Sequence, residues 1–410
     1  MFRKTVGLCI VLVLLLGALS PALAQEGKVV IRYANFTAGQ DRAAELDQII
    51  AAFEAEYPNI KIEPYNMPFG DYFTMLQADF AGGDPPDVFE LNYENFVAFA
   101  ANGVLLDLSA YVSEDAPYYP QALHAFQYEG KQYALPETFS TVVLFYNKDL
   151  FDQAGIDYPT AEWTWVDALE TAKAIRALGP DIWGIYSPIQ FWEFYKRAAQ
   201  NNCQFFNEDK TETLINAPEC VEALQTMVGL LEEDVMPDPA EQAGVSDSEL
   251  FQAGRLGMQV TGIWMMPAYQ EVPFNWDIQL EPGMATKAYH FFSNGIAVDI
   301  NTEHPLEAAA WAQYMTSSKT AVDVRLAADW ELPTLNDMSL FESYLAMTPP
   351  DNREVVFQSL EAPVPPPTIA RQSEMQDIFD ELFNAVIAGE LDPETALNLA
   401  KERVDSLLTS

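Results

Sequence analysis

Residues 29–63 read VVIRYANFTAGQDRAAELDQIIAAFEAEYPNIKIE. Val29–Tyr33 is a short, mostly apolar run of strand character, and Asn35–Gln40 follows as a polar loop with one glycine. Asp41 suits a helix N-cap, and Leu46, Ile49, Ile50 and Phe53 then recur at the three- and four-residue spacing of an amphipathic helix. Pro58 ends that helix, and Ile60–Glu63 alternates like a second strand. A β-loop-α-β opening of this kind predicts an α/β layer fold.

The pattern continues outward. Helices are predicted over Asp71–Phe80, Asn95–Asn102, Trp165–Leu178, Glu219–Glu232, Glu249–Ala253 and Glu307–Ser317. Strands are predicted over Val88–Leu91, Met258–Ile263 and Ile296–Ile300. Tyr133–Tyr146 reads as two strands in series, broken at Pro136. Beyond Met338 the chain is mostly helical, apart from a Pro-rich stretch at Ala362–Thr368.

Composition narrows the function classes. Sixty-one acidic against 21 basic side chains give a formal charge of −40 over 410 residues, a field that repels phosphate backbones and anionic membranes. A content of 49% hydrophobic and 12% aromatic residues argues against disorder, and the length suits two lobes. At the start, Arg3 and Lys4 precede an apolar run over residues 5–19, then Ser20-Pro21 and an Ala22-Leu23-Ala24 cleavage site. Those three parts predict a signal peptide over residues 1–24, which would carry Cys9 away with it and leave an exported, soluble protein. Cys203 and Cys220 are then either a disulfide or two buried thiols; a hairpin turning at Asn207–Lys210 would bring them together.

No compact catalytic signature stands in the sequence: there is no G-x-S-x-G, H-E-x-x-H, C-x-x-C or phosphate-binding loop. His124, His290 and His304 are far apart, which gives a multi-histidine metal site little support, and no cofactor is expected. Residues 207–211 lack the Gly and Glu that a calcium loop needs. The weight moves from catalysis to binding.

Several segments resemble the extracellular solute-binding proteins of ABC importers, the carbohydrate-binding group related to maltose-binding protein. They are Phe53–Ile62, the Ala81-Gly82-Gly83-Asp84-Pro85-Pro86-Asp87-Val88 stretch, and Gly130–Pro136 followed by Leu144–Phe151 and Ala154-Gly155-Ile156. Thr164-Trp165 and Phe251–Met258 with Gly262-Ile263-Trp264 complete the set, Gly257 standing where the family usually has Ala. The resemblance implies a two-lobed periplasmic-binding-protein-like fold with a hinge and an interlobe ligand cleft. It places lobe one at 25–139 plus 283–333, and lobe two at 140–282 plus 334–410. It further implies a monomer, periplasmic or associated with the cell surface, that hands a sugar to membrane permease subunits and does no chemistry itself. A polyamine or another solute in the same fold is the alternative, and a secreted glycosidase a more distant one.

Sugar binding needs aromatic faces for stacking and planar polar groups for hydroxyls. Trp264 matches the family's G-x-W tryptophan. Gln190 and Trp192 stand where a loop enters a helix, although Trp192 would equally serve a core. Gln40 and Asp41 follow the first strand, and Asn92, Tyr93 and Glu94 follow the third, at the strand ends where α/β sheets hold ligands. Glu137, Thr138 and Ser140 fall at the expected hinge, Ser293 and Asn294 precede another strand, and Arg371 follows the Pro-rich loop. Trp165, by contrast, reads as the structural start of a helix.

Overall fold

The computed structural model describes residues 27–39, 42–112 and 118–409. The signal peptide expected over 1–24, and the expected site residues Gln40 and Asp41, lie outside them. Two sheets organise the chain. The first has six strands, in the order Leu332–Pro333, Ala134–Ser140, Phe292–Val298, Val88–Asn92, Val29–Asn35 and Ile60–Asn66. Val29–Asn35 runs parallel to both Ile60–Asn66 and Val88–Asn92, as the opening predicts, while Phe292–Val298 joins antiparallel. The second sheet has four strands, in the order Trp276–Gln279, Val142–Asn147, Leu256–Gly262 and Trp183–Tyr186.

Leu46, Ile49, Ile50 and Phe53 are the buried face of the helix Ala43–Glu56, and they pack with Ile31, Ile62, Val298 and Trp311 in the core of the first lobe. The second lobe is closed by the C-terminal helices Gln372–Ile387 and Pro393–Leu408, which share one core with Leu144, Phe194 and Leu224. Among the described residues, no helix is long and apolar enough to cross a membrane.

The long run at 133–146 does form two strands, but they divide at Thr141 and not at Pro136. Pro136 stays inside its strand because a bulge accommodates it. The register against Phe292–Val298 passes from Thr138 opposite Asn294 to Pro136 opposite Gly295, which leaves Glu137 out of the ladder. Thr141 is the point where the chain leaves one sheet for the other. It is fully buried, and its carbonyl accepts the Ile263 N–H at 3.1 Å.

Two strands of the second sheet escape the sequence reading, Trp183–Tyr186 and Trp276–Gln279. Each has four residues, too few for alternation to show. Gly184 also weakens the first as a strand signal. It is needed there because a Cβ would fall 2.2 Å from the Ala172 carbonyl oxygen on the helix Trp165–Arg176. Trp165 is structural, as expected: it is buried, and its indole N–H donates to Gln200 Oε1 at 2.8 Å. Cys203 and Cys220 form a disulfide, with Cα atoms 5.2 Å apart. Between them the chain doubles back, Phe206 bridging antiparallel to Thr213.

Candidate functional site

A cleft of about 700 Å³ opens between the two sheets. Strand ends build it, because a parallel strand delivers its following loop to the carboxyl edge of the sheet. From the first lobe come Phe36 and Thr37 after the first strand, Phe69 at a helix start, and Asn92 and Glu94 after the third strand. From the second lobe come Tyr186 and Gln190 after the Trp183 strand, Trp192 and Glu193 on the helix Phe191–Gln200, and Gly262 and Trp264 after the Leu256 strand. Ser140, His290 and Phe292 stand where the chain passes between lobes.

Of the residues expected from sequence, Trp264, Trp192, Gln190, Asn92, Glu94, Ser140 and Asn294 line this cleft. Asn92 serves two ends, since its Oδ1 also accepts the Asn95 N–H and caps the helix Tyr93–Ala101. The other described candidates are placed elsewhere. Strand alternation separates Ser293 from Asn294: Ser293 is buried on the opposite face and donates to the Thr138 carbonyl at 2.9 Å. Thr138 lies beneath the lining, donating to Glu331 Oε2 at 2.6 Å and accepting from Asn294 Nδ2 at 3.4 Å. Glu137, displaced by the bulge, forms a buried ion pair with Arg325. Tyr93 directs its hydroxyl to Thr368 in the Pro-rich segment. Arg371 is paired with Glu374, its Nε 2.6 Å from Oε1.

Sequence reasoning missed Phe36, Thr37, Phe69, Tyr186, Glu193, His290, Phe292 and Glu331. Phe292 was within reach. It shares the face of Asn294 two positions away, and a period-2 reading from Asn294 would have selected it in place of Ser293.

The site's aromatic wall is continuous. Phe292 has ring centroids 6.0 Å from Trp192 and 6.1 Å from Trp264, whose side chain is 48% exposed toward the cleft. Across from it, Phe36 and Phe69 meet edge-on at 5.3 Å. Among the described residues, the acidic lining is Glu94, Glu193, Asp247 and Glu331, and no lysine or arginine lines the cleft. These acids are largely spoken for. Glu193 pairs with Lys196 and lies 3.5 Å from Arg197. Burial raises Glu331, whose oxygens accept from Thr138 and Asn294. Burial pushes Glu94 up to about 7.

Glu193, Glu281 and His290 are, among the described residues, a group whose ligand atoms lie within 4.8 Å of one another, close enough for a metal. They do not suit one. Lys196 Nζ bonds both carboxylates, so an ammonium already fills the cation's place.

Glu94 gives a pH-dependent stability. Its folded pKa lies above the unfolded carboxyl value, so the folded state holds the extra proton in the intervening window. The contribution is complete below about pH 4.5 and is lost as pH rises through about 7. Glu137, also raised to about 7 by burial, acts in the same direction. Thermal midpoints are therefore expected to rise from pH 8.5 to 5.5, with Glu94 supplying on the order of 2–3 kcal/mol. Glu94→Gln should flatten that slope, and an unchanged slope would contradict the assignment.

A hinged pair of α/β lobes around an aromatic, polar cleft defines a two-lobed solute-binding protein. The chain belongs to the bacterial extracellular solute-binding protein family, whose profile matches residues 38–322. An ABC substrate-binding protein of Listeria monocytogenes, solved in complex with cycloalternan, is 42% identical and superposes with a TM-score of 0.88 over 93% of this chain and 99% of that one. The galactooligosaccharide-binding protein of Bacillus subtilis is 23% identical over 96% of this chain and 94% of its own length. The sn-glycerol-3-phosphate-binding periplasmic protein of Rhizobium meliloti is 23% identical, over 88% and 83%. These relatives are binding proteins, and this chain is likewise the solute-capturing component of its class.

Proposed function

We propose that the protein captures a neutral oligosaccharide in its interlobe cleft and delivers it unchanged to ABC importer permease subunits. The supporting observation is the lining itself: three contiguous aromatic side chains, amides and hydroxyls, and, among the described residues, no lysine or arginine. A phosphorylated solute would have to be desolvated there with no cationic side chain on the lining to pair with it. A polyamine would need several ionised carboxylates, whereas Glu193 is already paired and Glu94 and Glu331 are raised by burial. The cycloalternan bound by the 42%-identical Listeria protein makes compact α-glucans the first probes.

In this reading Trp192, Phe292 and Trp264 stack on sugar rings, and Gln190, Asn92, Glu94, Ser140 and Asn294 bond hydroxyls. Residues 25–139 plus 283–333 form one closing body, and 140–282 plus 334–410 the other. The exported protein acts as a monomer after cleavage near Ala24.

The test is a thermal-shift screen with cycloalternan, maltooligosaccharides, galactooligosaccharides, sn-glycerol 3-phosphate and spermidine. A sugar at 100 times its Kd should add about 2.7 kcal/mol of stability and be recovered unchanged. A shift with spermidine or glycerol phosphate and none with any sugar would overturn the ligand class. Consumption of the sugar would overturn the binding role.

A further inference from the structure

His290 lies on the return crossing between Trp276–Gln279 of the second sheet and Phe292–Val298 of the first. Its backbone is tied to the other crossing, its carbonyl accepting from Thr141 Oγ1 at 2.7 Å. The Tyr289–His290 strand also pairs in parallel with Pro363–Val364, the lead into the C-terminal helices. Three strands of chain that pass near the interlobe boundary are thus joined at one residue.

The side chain reaches the cleft wall. His290 is buried, its ring near-parallel to Phe292 at 5.0 Å and edge-on to Tyr195 at 5.4 Å. Its Nε2 lies 2.8 Å from the Trp192 carbonyl, a contact that requires the ring to donate there. Its Nδ1 faces Glu281 Oε1 at 3.5 Å, and Glu281 is in turn held by Lys196. His290 thus holds the backbone of Trp192 and the ring of Phe292, and both residues line the cleft.

We infer that His290 is a positioning residue for ligand binding: it fastens the Trp192–Phe292 wall to the interlobe crossings, so that stacking geometry and lobe closure are set together. The inference rests on the reading of the cleft as a sugar site. An aromatic platform that can tilt loses the pre-organisation that stacking needs, and here one ring and one N–H hold both halves of it.

The experiment compares His290→Ala, His290→Gln and His290→Phe in the mature protein. Gln retains a donor at the Nε2 position, and Phe retains the ring. Cycloalternan and maltotetraose affinities are measured by calorimetry. Labelling with 5-fluorotryptophan supplies a second readout without ligand, with the Trp192 resonance assigned by Trp192→Phe.

Loss of the buried hydrogen bond and the ring contact together should weaken binding about 10-fold or more in His290→Ala. His290→Gln should recover most of that loss. In the unliganded protein the Trp192 resonance should shift in His290→Ala while that of the core residue Trp311 stays in place. Wild-type affinity in His290→Ala would overturn the inference. Should that variant not fold, wild-type affinity in both the Gln and the Phe variants would do so. If the wild type bound neither sugar, the ligand reading would fail separately. The role of His290 would then stand or fall on the Trp192 resonance, and an unshifted resonance in every variant would overturn it.

Discussion

Replacing Lys196 by methionine is expected to cost the folded protein about 3–5 kcal/mol, the usual penalty for stripping the partner from buried charge. Lys196 is fully buried on the helix Phe191–Gln200 and bonds Glu193 and Glu281, both buried as well. Burial alone would raise the Glu281 carboxyl. The neighbouring Lys196 and His290 outweigh it and hold Glu281 below the usual carboxylate range. Its charge is therefore part of the folded state, and removing Lys196 leaves Glu281 with His290 alone. Glu193 keeps Arg197 at 3.5 Å, so it suffers less. A second change, Glu281→Gln, should restore much of the loss, because a neutral amide has no charge to desolvate. Denaturant melts of the two single variants and the double variant measure the coupling directly. A Lys196→Met protein as stable as the wild type, or a double variant no better than the single, would show that the network is not an ionic one.

Gly262→Ala is expected to weaken sugar binding by roughly 10- to 100-fold while leaving the fold intact, as loss of a central aromatic anchor does. The Trp264 indole lies across Gly262, and a Cβ there would fall 2.1–2.2 Å from three of its ring carbons. The clash is with the outer edge of a half-exposed side chain and not with backbone. Relief therefore comes by swinging the indole away, at little cost in stability. Trp264→Ala should lower affinity to a similar degree, and the double variant should be no worse than either single one, because both changes remove the same platform. Calorimetric titration with cycloalternan, alongside melting curves, reads both quantities. Unchanged affinity in Trp264→Ala would exclude that indole from the site. Loss in Trp264→Ala without loss in Gly262→Ala would show that the seat on Gly262 is not what places it.

Much of the architecture was legible because its signals are local. The Ala43–Glu56 helix buries the four residues its spacing selects, and the strands at 29, 60 and 88 lie where alternation and β-branched content place them. Asn92 and Glu94 were found because a topological rule puts ligands at strand ends, and Trp264 because it matches the family's G-x-W tryptophan. Errors arose where orientation, and not position, decided. Ser293 and Asn294 are neighbours in sequence but point to opposite faces, and Glu137 leaves the ladder only because a bulge accommodates Pro136. Tyr93 begins the right helix yet turns toward Thr368. The helix Phe191–Gln200 carries Glu193, Lys196, Arg197 and Gln200, and every one of them is buried, which nothing in the residue types signals.

The sequence by itself determined the α/β class, the family and the aromatic residues available for a ligand, since these follow from residue types and from short motifs in order; it left Cys203 and Cys220 open between a bridge and two thiols, which the structure joins. Only the tertiary structure decided which side chains meet. Phe292 lies between Trp192 and Trp264, His290 joins Thr141 to Trp192, and Lys196 neutralises Glu281 from 85 positions away. Those contacts exist because two sheets, each assembled from distant segments, bring their edges to a common cleft, and no local periodicity encodes that approach.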